Sequence, residues 1–192
     1  MQVEEAIRGR YSVKVFQNRS LAPGVIEQSL DVAIWAPNHK MTEPWYFAVV
    51  EDGARYLLAE VMERAARAQN PLAITGRETR KLLSAPALVA IYSDRGSSER
   101  TTMENYAATA AAVQNLLLVL HSRGLGAIWR TGSLYDEASV RDFLGVPSSA
   151  LLVGAVFVGY AETAPARRRR TPAAAKTYRV PTRPAEVGYG QN

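Results

Sequence analysis

One domain of the α+β or α/β class, carrying one long C-terminal arm, is what the sequence predicts. Two near-continuous apolar runs, PALVAIYS at 86–93 and LLVGAVFVG at 151–159, read as strands covered on both faces. Residues 104–123 read as a long helix, and 116–120 within it is apolar all round, which puts it in a core or a subunit interface. From 161 onward the chain is Pro-, Ala- and Arg-rich without a core pattern, and an ordered arm over 162–192 needs a surface to lie on.

The remaining elements follow in order. Residues 1–9 form a short helix. Residues 10–16 (RYSVKVF) alternate as a strand, with Arg10, Ser12, Lys14 and Phe16 on one face and Tyr11, Val13 and Val15 on the other. Pro23 sits where a helix can start, and Val25, Ile26, Ser29, Leu30, Ala33 and Ile34 keep helical spacing up to Ala36-Pro37. A polar loop, 38–44, leads to a strand at 45–51 (WYFAVVE). Leu57, Leu58, Val61, Met62 and Ala65 define a helix over 55–69. Residues 70–80 are ambiguous, with a short helix at 77–83. The long helix ends with His121 and Arg123 in its last turn and Gly124 as C-cap. A short strand at 127–130 and a helix at 136–144, capped by Asp136, complete the set. There are no internal repeats.

The 192 residues are 47% apolar and 21% charged, a globular composition with room for a core. The net charge of +5 is concentrated in Arg167 to Arg170, Lys176, Arg179 and Arg183, so a general nucleic-acid surface has little support. The absence of cysteine excludes disulfides, thiolate metal sites and cysteine nucleophiles. No HExxH or clustered histidine pair points to a metal. Residues 1–10 carry Glu4 and Glu5 and no apolar run, unlike a signal peptide, and the longest apolar segment is too short to span a bilayer. The expectation is a soluble, cytoplasmic protein.

Three stretches carry chemistry. In the first, Arg10 and Lys14 lie on the order of 13 Å apart at about 3.3 Å per residue. They suit an elongated anion: a phosphate near Arg10 and Ser12, an electron-accepting ring near Lys14. A solvated edge over a valine core accounts for the same pattern. The second is Asn38-His39-Lys40, where His39 is either a ligand-contacting group or a surface histidine. The third is 126–132 (GAIWRTG), whose glycines allow close backbone approach and whose Arg130 and Thr131 suit a phosphate or carbonyl. A β-turn with an exposed arginine and a core tryptophan is the alternative. His121 by itself reads as a cation satisfying a helix end. The Rossmann fingerprint, the P-loop and GxSxG are all missing. The arginine run could bind RNA or an acidic membrane, but it lacks interleaved aromatics for base stacking.

Taken together, R-x-S-x-K-x-F at 10–16, A-P-N-H-K-x-x-x-P-W-x-F at 36–47 and G-x-I-W-R-T-G at 126–132 resemble the FMN-dependent nitroreductase family, its compact bacterial branch in particular. The likeness runs from about 7 to 159, and Arg168-Arg169-Arg170-Thr171-Pro172 looks more loosely like that family's basic C-terminal motif. It implies an α+β fold with a central mixed or antiparallel sheet flanked by helices. It also implies one FMN-binding domain over 1–192 and an intertwined homodimer whose C-terminal arms embrace the partner. By resemblance, Arg10 and Ser12 hold the FMN phosphate, Tyr11 contributes its backbone, and Lys14 lies beside flavin N1 and O2. His39 comes across the interface, and Trp129, Arg130 and Thr131 touch the flavin. Trp35 stands where some relatives carry a basic residue, a deficit Arg170 would offset. His121, Ser122, Arg123, Gly124, Leu125 and Gly126 fall where that branch receives the nicotinamide of NADH or NADPH. The flavin would carry hydride transfer to nitroaromatics, quinones or other electron-poor acceptors by ping-pong turnover, with no side-chain acid required. Two other readings stay open: an FMN-dependent oxidase or dehydrogenase on this fold, and a non-catalytic polyanion binder acting through the arginine-rich tail.

Overall fold

The computed structural model describes residues 1–163 and 169–180. Four strands, β1 (Trp45–Glu51), β2 (Ala87–Ser93), β3 (Gly126–Arg130) and β4 (Leu151–Gly159), form one sheet in the order β1-β2-β4-β3. Every pairing is antiparallel, which settles the expected choice between mixed and antiparallel. The helices are α1 (Val3–Gly9), α2 (Val25–Ala33), α3 (Asp52–Gln69), α4 (Arg77–Leu82), α5 (Glu99–Ser122) and α6 (Ala138–Leu144). Among the described residues no helix is long and apolar enough to cross a membrane.

The two apolar runs are the two central strands, and all of β2 is buried. Their alternate side chains feed two cores. Leu88, Ala90, Tyr92 and Phe157 pack with Leu58 and Met62 of α3, Leu82 of α4 and Val140 of α6. Val89, Ile91, Val156 and Val158 pack with Ile26 and Ala33 of α2 and with Val113, Leu116 and Leu120 of α5. The register slips between Ile91 and Tyr92, so β4 carries an extra residue and Val153 joins the α2/α5 core instead of the opposite one. The bulge needs Gly154: its φ is 144°, and a Cβ there would lie 2.3 Å from Trp129 Nε1. That same Nε1 donates to Val153 O at 3.1 Å, fixing the Trp129 indole on the bulge.

α5 begins at Glu99, five residues before the predicted start, because the Ser98 hydroxyl accepts from Thr101 N at 3.1 Å and caps it. Of the apolar run 116–120, Leu116, Leu117 and Leu120 are taken by this chain's own core. α2 lies antiparallel to α5: Arg123, past the end of α5, bonds Val25 O, Gln28 O and Ser29 Oγ, while Asn115 Nδ2 donates to Ala33 O. The ambiguous stretch at 70–80 resolves through a distant partner, since the buried Glu63 carboxylate of α3 accepts the amides of Glu78 and Thr79 at the start of α4.

Several expectations are corrected. Residues 10–16 are not a strand of the sheet. They touch β3 at one parallel bridge, Ser12 to Ala127, and the segment after β4 at one antiparallel bridge, Phe16 to Ala161. A bend at Val15 between these anchors breaks the alternation, leaving Val15 54% exposed and turning Phe16 into the core. Asp136 does not cap α6; it ends a 3-10 turn, Ser133–Asp136, and its carboxylate pairs with Arg141. In the expected arm, the described residues 169–180 are exposed throughout and contain one 3-10 turn, Ala173–Lys176. Arg167 and Arg168 lie outside the described residues.

Candidate functional site

The chain leaves α1 at Gly9, and Arg10 follows in extended backbone, so its side chain enters a cleft of about 230 Å³. Tyr11, Val13, His121, Gly124 and Gly126 share the lining. Gly126 lets residues 10–16 lie directly on β3, since a Cβ there would fall 2.5 Å from Val13 Cγ2. Val13 N donates to Ala127 O at 3.0 Å and locks that approach. Among the described residues the Arg10 guanidinium has no carboxylate partner, although it is half-buried. The Tyr11 ring stands edge-on to His121, with centroids 6.3 Å apart. Burial, and then the charge of Arg10, hold His121 below its ordinary pKa. The cleft therefore presents unneutralised positive charge beside a neutral imidazole, an arrangement that receives an anion. Ser12 and Lys14 are exposed along the same segment.

The predicted nicotinamide stretch divides. His121, Gly124, Leu125 and Gly126 line the cleft. Ser122 turns its hydroxyl to Val119 O, and Arg123 commits its guanidinium to α2. Trp129 and Arg130 also face inward, the indole on Val153 O and the guanidinium 4.8 Å over the Phe157 ring. Of the 129–131 side chains, only Thr131 is exposed.

Trp35 and His39 are not brought to this cleft. Trp35, beyond the end of α2, is 84% exposed. His39 is exposed in a 3-10 turn, His39–Met41, in a loop tied to the other end of α5 by Thr42 Oγ1 donating to Asn105 Oδ1 at 3.0 Å. Asn105 and His121 lie sixteen positions apart on α5, about 24 Å at about 1.5 Å per residue. The loop is strained, with Lys40, Met41 and Glu43 at φ of 57°, 52° and 45°. It is held by Asn38, whose Oδ1 accepts from Glu43 N at 3.0 Å and whose Nδ2 donates to Ala36 O. Asn38, singled out with His39 and Lys40 as a candidate for chemistry, instead supports the loop, and Asn105 is a second support that no motif marks. Asn105 left one signal: it is a polar residue on the helix face that Thr109, Ala112 and Leu116 continue into the core. Arg170 is exposed. Among the described residues no group of three or more His, Asp or Glu is placed to hold a metal.

The family model of the nitroreductase family matches residues 7–160, from the end of α1 to just past β4. The chain belongs to the nitroreductase family. It is by that membership an oxidoreductase. A Bacillus subtilis (strain 168) protein provisionally named NAD(P)H nitroreductase YfhC is 27% identical over 174 residues, which cover 88% of this chain and 90% of that one. The structure of a nitroreductase-like family protein from Bacillus cereus superposes with a TM-score of 0.81 at 29% identity, over 94% of this chain and 96% of that one. A structure from Desulfovibrio desulfuricans subsp., provisionally named a nitroreductase and solved in complex with FMN, has a TM-score of 0.73. At 24% identity, over 94% of this chain and 98% of that one, the second likeness is one of fold. The nitroreductase fold here is the antiparallel sheet between the α2/α5 and α3/α4/α6 layers, with the Arg10 cleft at the β3 edge.

Proposed function

We propose that this nitroreductase-family chain is an FMN-dependent NAD(P)H oxidoreductase acting as a homodimer, one FMN-binding domain over 1–192 with 162–192 as an arm onto the partner. The observation that carries the reading is Arg10: a half-buried guanidinium in a glycine-bordered cleft with no carboxylate partner among the described residues. That donor fits a phosphate monoester. A cleft of about 230 Å³ is smaller than the roughly 300–1,000 Å³ of a complete small-molecule pocket, so one chain offers the phosphate end and a second copy completes the site. The separation of the His39 loop from Arg10 along α5 supports the same conclusion. His39 and Trp35 then act on the partner's cofactor.

When bound, FMN supplies the capacity to accept and pass on a hydride. Arg10 and Ser12 bind its phosphate, with the Tyr11 backbone beside them. Lys14 would lie beside the ring and supply positive charge that favours its reduced form. Trp129 and Arg130 act through backbone, because their side chains are committed to the sheet, and Thr131 offers a hydroxyl. Arg170 adds positive charge from the tail. Gly124, exposed beyond α5, is the part of the predicted stretch left open to the nicotinamide of NADH or NADPH, with Leu125 and Gly126 behind it in the cleft wall. Nitroaromatics, quinones or similar electron-poor acceptors follow in the same place by ping-pong turnover.

The test is the visible spectrum of the purified protein and its bleaching by NADH or NADPH without oxygen. A yellow protein that bleaches is expected, and Arg10→Ala is expected to lose flavin on desalting. A yellow protein that neither donor bleaches would move the reading to an oxidase or dehydrogenase. A colourless protein with salt-sensitive polyanion binding would replace it with a tail-mediated binding role.

A further inference from the structure

We propose that His121 is a second, proton-dependent ligand for the anion held by Arg10: its imidazole takes a proton from solvent as a phosphate monoester dianion enters the cleft and donates a hydrogen bond to it. The inference rests on the FMN reading and takes His121 out of the nicotinamide surface. Its ring lines the same cleft as Arg10 and Tyr11. The ring is packed there: Tyr11 stands edge-on to it, and Nε2 sits so close to Gly9 that a Cβ on that residue would lie 3.0 Å away.

The charges around the imidazole are few. On the 10–16 segment, Arg10 faces it. From the N-terminal side, Met1 lines the cleft; on α1, Glu4 is paired with Arg8 and Glu5 is bonded to Gln2 N. On its own helix end, Arg123 is turned to α2. The start of β3 contributes only Gly126 and Ala127, and beyond β4 Ala161 lines the rim next to exposed Glu162. Burial first, and then Arg10, oppose protonation of the empty cleft. A dianion between the two groups cancels the Arg10 repulsion, and the C-terminal end of α5 already favours a cation. Coupling is reciprocal, so a protonated His121 tightens the anion by the factor by which the anion favours the proton.

FMN and riboflavin are titrated onto flavin-free protein between pH 8 and pH 6 by flavin fluorescence, for wild type and His121→Gln, with histidine ring NMR alongside. The variant removes one of the chain's two histidine signals and so assigns it. In wild type, FMN affinity relative to riboflavin is expected to rise about tenfold as the pH falls, within the usual range of site coupling. His121→Gln abolishes that rise and leaves riboflavin unchanged. Protonation of the monoester itself, near about pH 6, is common to both proteins and cancels in the comparison. The His121 titration midpoint is expected to move up on adding FMN or inorganic phosphate. An equal rise in His121→Gln, a riboflavin slope matching that of FMN, or a midpoint that phosphate leaves in place would overturn the proposal. Failure of FMN to bind at any pH would instead sink the FMN reading, and the phosphate titration of His121 would still decide the inference.

Discussion

The contact between Gly126 and Val13 sets where the Arg10 segment lies, and it can be tested by trading volume across it. A Cβ at position 126 would fall 2.5 Å and 3.3 Å from the two methyl carbons of Val13, Cγ2 and Cγ1, and 3.1 Å from its Cβ. Backbone strain plays no part, because Gly126 is not among the positive-φ glycines. Gly126→Ala is thus a pure overpacking change, expected to cost about 2 kcal/mol. Val13 is 2% exposed, and Val13→Ala removes two methyl groups at about 0.8 kcal/mol each plus a small cavity, again about 2 kcal/mol. In the double variant the new methyl occupies space the valine vacates. Its loss is expected near about 2 kcal/mol instead of about 4, a coupling of about 2 kcal/mol. For a chain of this length that is about 4–8 °C for each single variant and about the same for the double. Urea unfolding by circular dichroism, with thermal melts alongside, measures all four proteins. A double variant whose loss equals the sum of the singles would refute the contact.

Gly154→Ala meets both a φ of 144° and a backbone oxygen, Arg130 O, 2.6 Å from its new Cβ, so a loss of about 4 kcal/mol or more is expected as low soluble yield and a lowered melt. Adding Trp129→Ala should restore little of it; full recovery would mean the indole is the whole obstacle. Arg123→Ala removes the guanidinium hydrogen bonds to Val25 O, Gln28 O and the buried Ser29 hydroxyl, although Val25 O keeps the Ser29 hydroxyl as a donor, and urea unfolding is expected to show a loss of about 2 kcal/mol. Arg123→Lys should recover less than half, because one ammonium cannot replace both guanidinium nitrogens used there. Burial pushes the Glu63 carboxyl up, but bonds from the Thr79, Gly76 and Glu78 amides and the Thr79 hydroxyl outweigh it and hold it below its usual value. A depressed folded pKa stabilises above the unfolded value near about 4.3 and loses that effect as pH falls through the folded one. Wild type is therefore expected to exceed Glu63→Gln by about 1 kcal/mol at pH 7, with the gap closing below pH 4; a gap that persists in acid would contradict the linkage.

Elements specified by their own residues were readable. β1 and β4 follow the sequence reading to the residue, because their burial on a sheet writes itself as an apolar run. Contacts between distant residues were not. α4 is capped by a carboxylate 15 residues upstream, and the alternation at 10–16 breaks because Phe16 answers to Ala161. In the candidate site, spacing and resemblance single out Arg10, which lines the cleft, whereas Tyr11, expected to act through its backbone, brings its ring there, and the close approach expected of a ligand at Gly126 is made by Val13. The turn of Arg123 onto α2 and of Trp129 and Arg130 onto the sheet was not legible, because a cation or an indole in a motif does not state which face it takes. The strain at 40–43 left no mark either, since none of Lys40, Met41 and Glu43 has a left-handed preference of the glycine kind.

α5 keeps Arg10 and His121 near its last turn and the His39 loop near its first. In the proposed two-fold pair, each pocket therefore draws one half from each polypeptide. Genetics sees this as complementation. A chain defective at Arg10 and a chain defective in the 38–44 loop would each be inactive alone. Mixed in one cell, they would assemble pairs in which both lesions fall in one pocket and the other pocket is wholly wild type. Two broken alleles would then yield up to half-active heterodimers, and recessive lesions would sort into two groups by which end of α5 they serve.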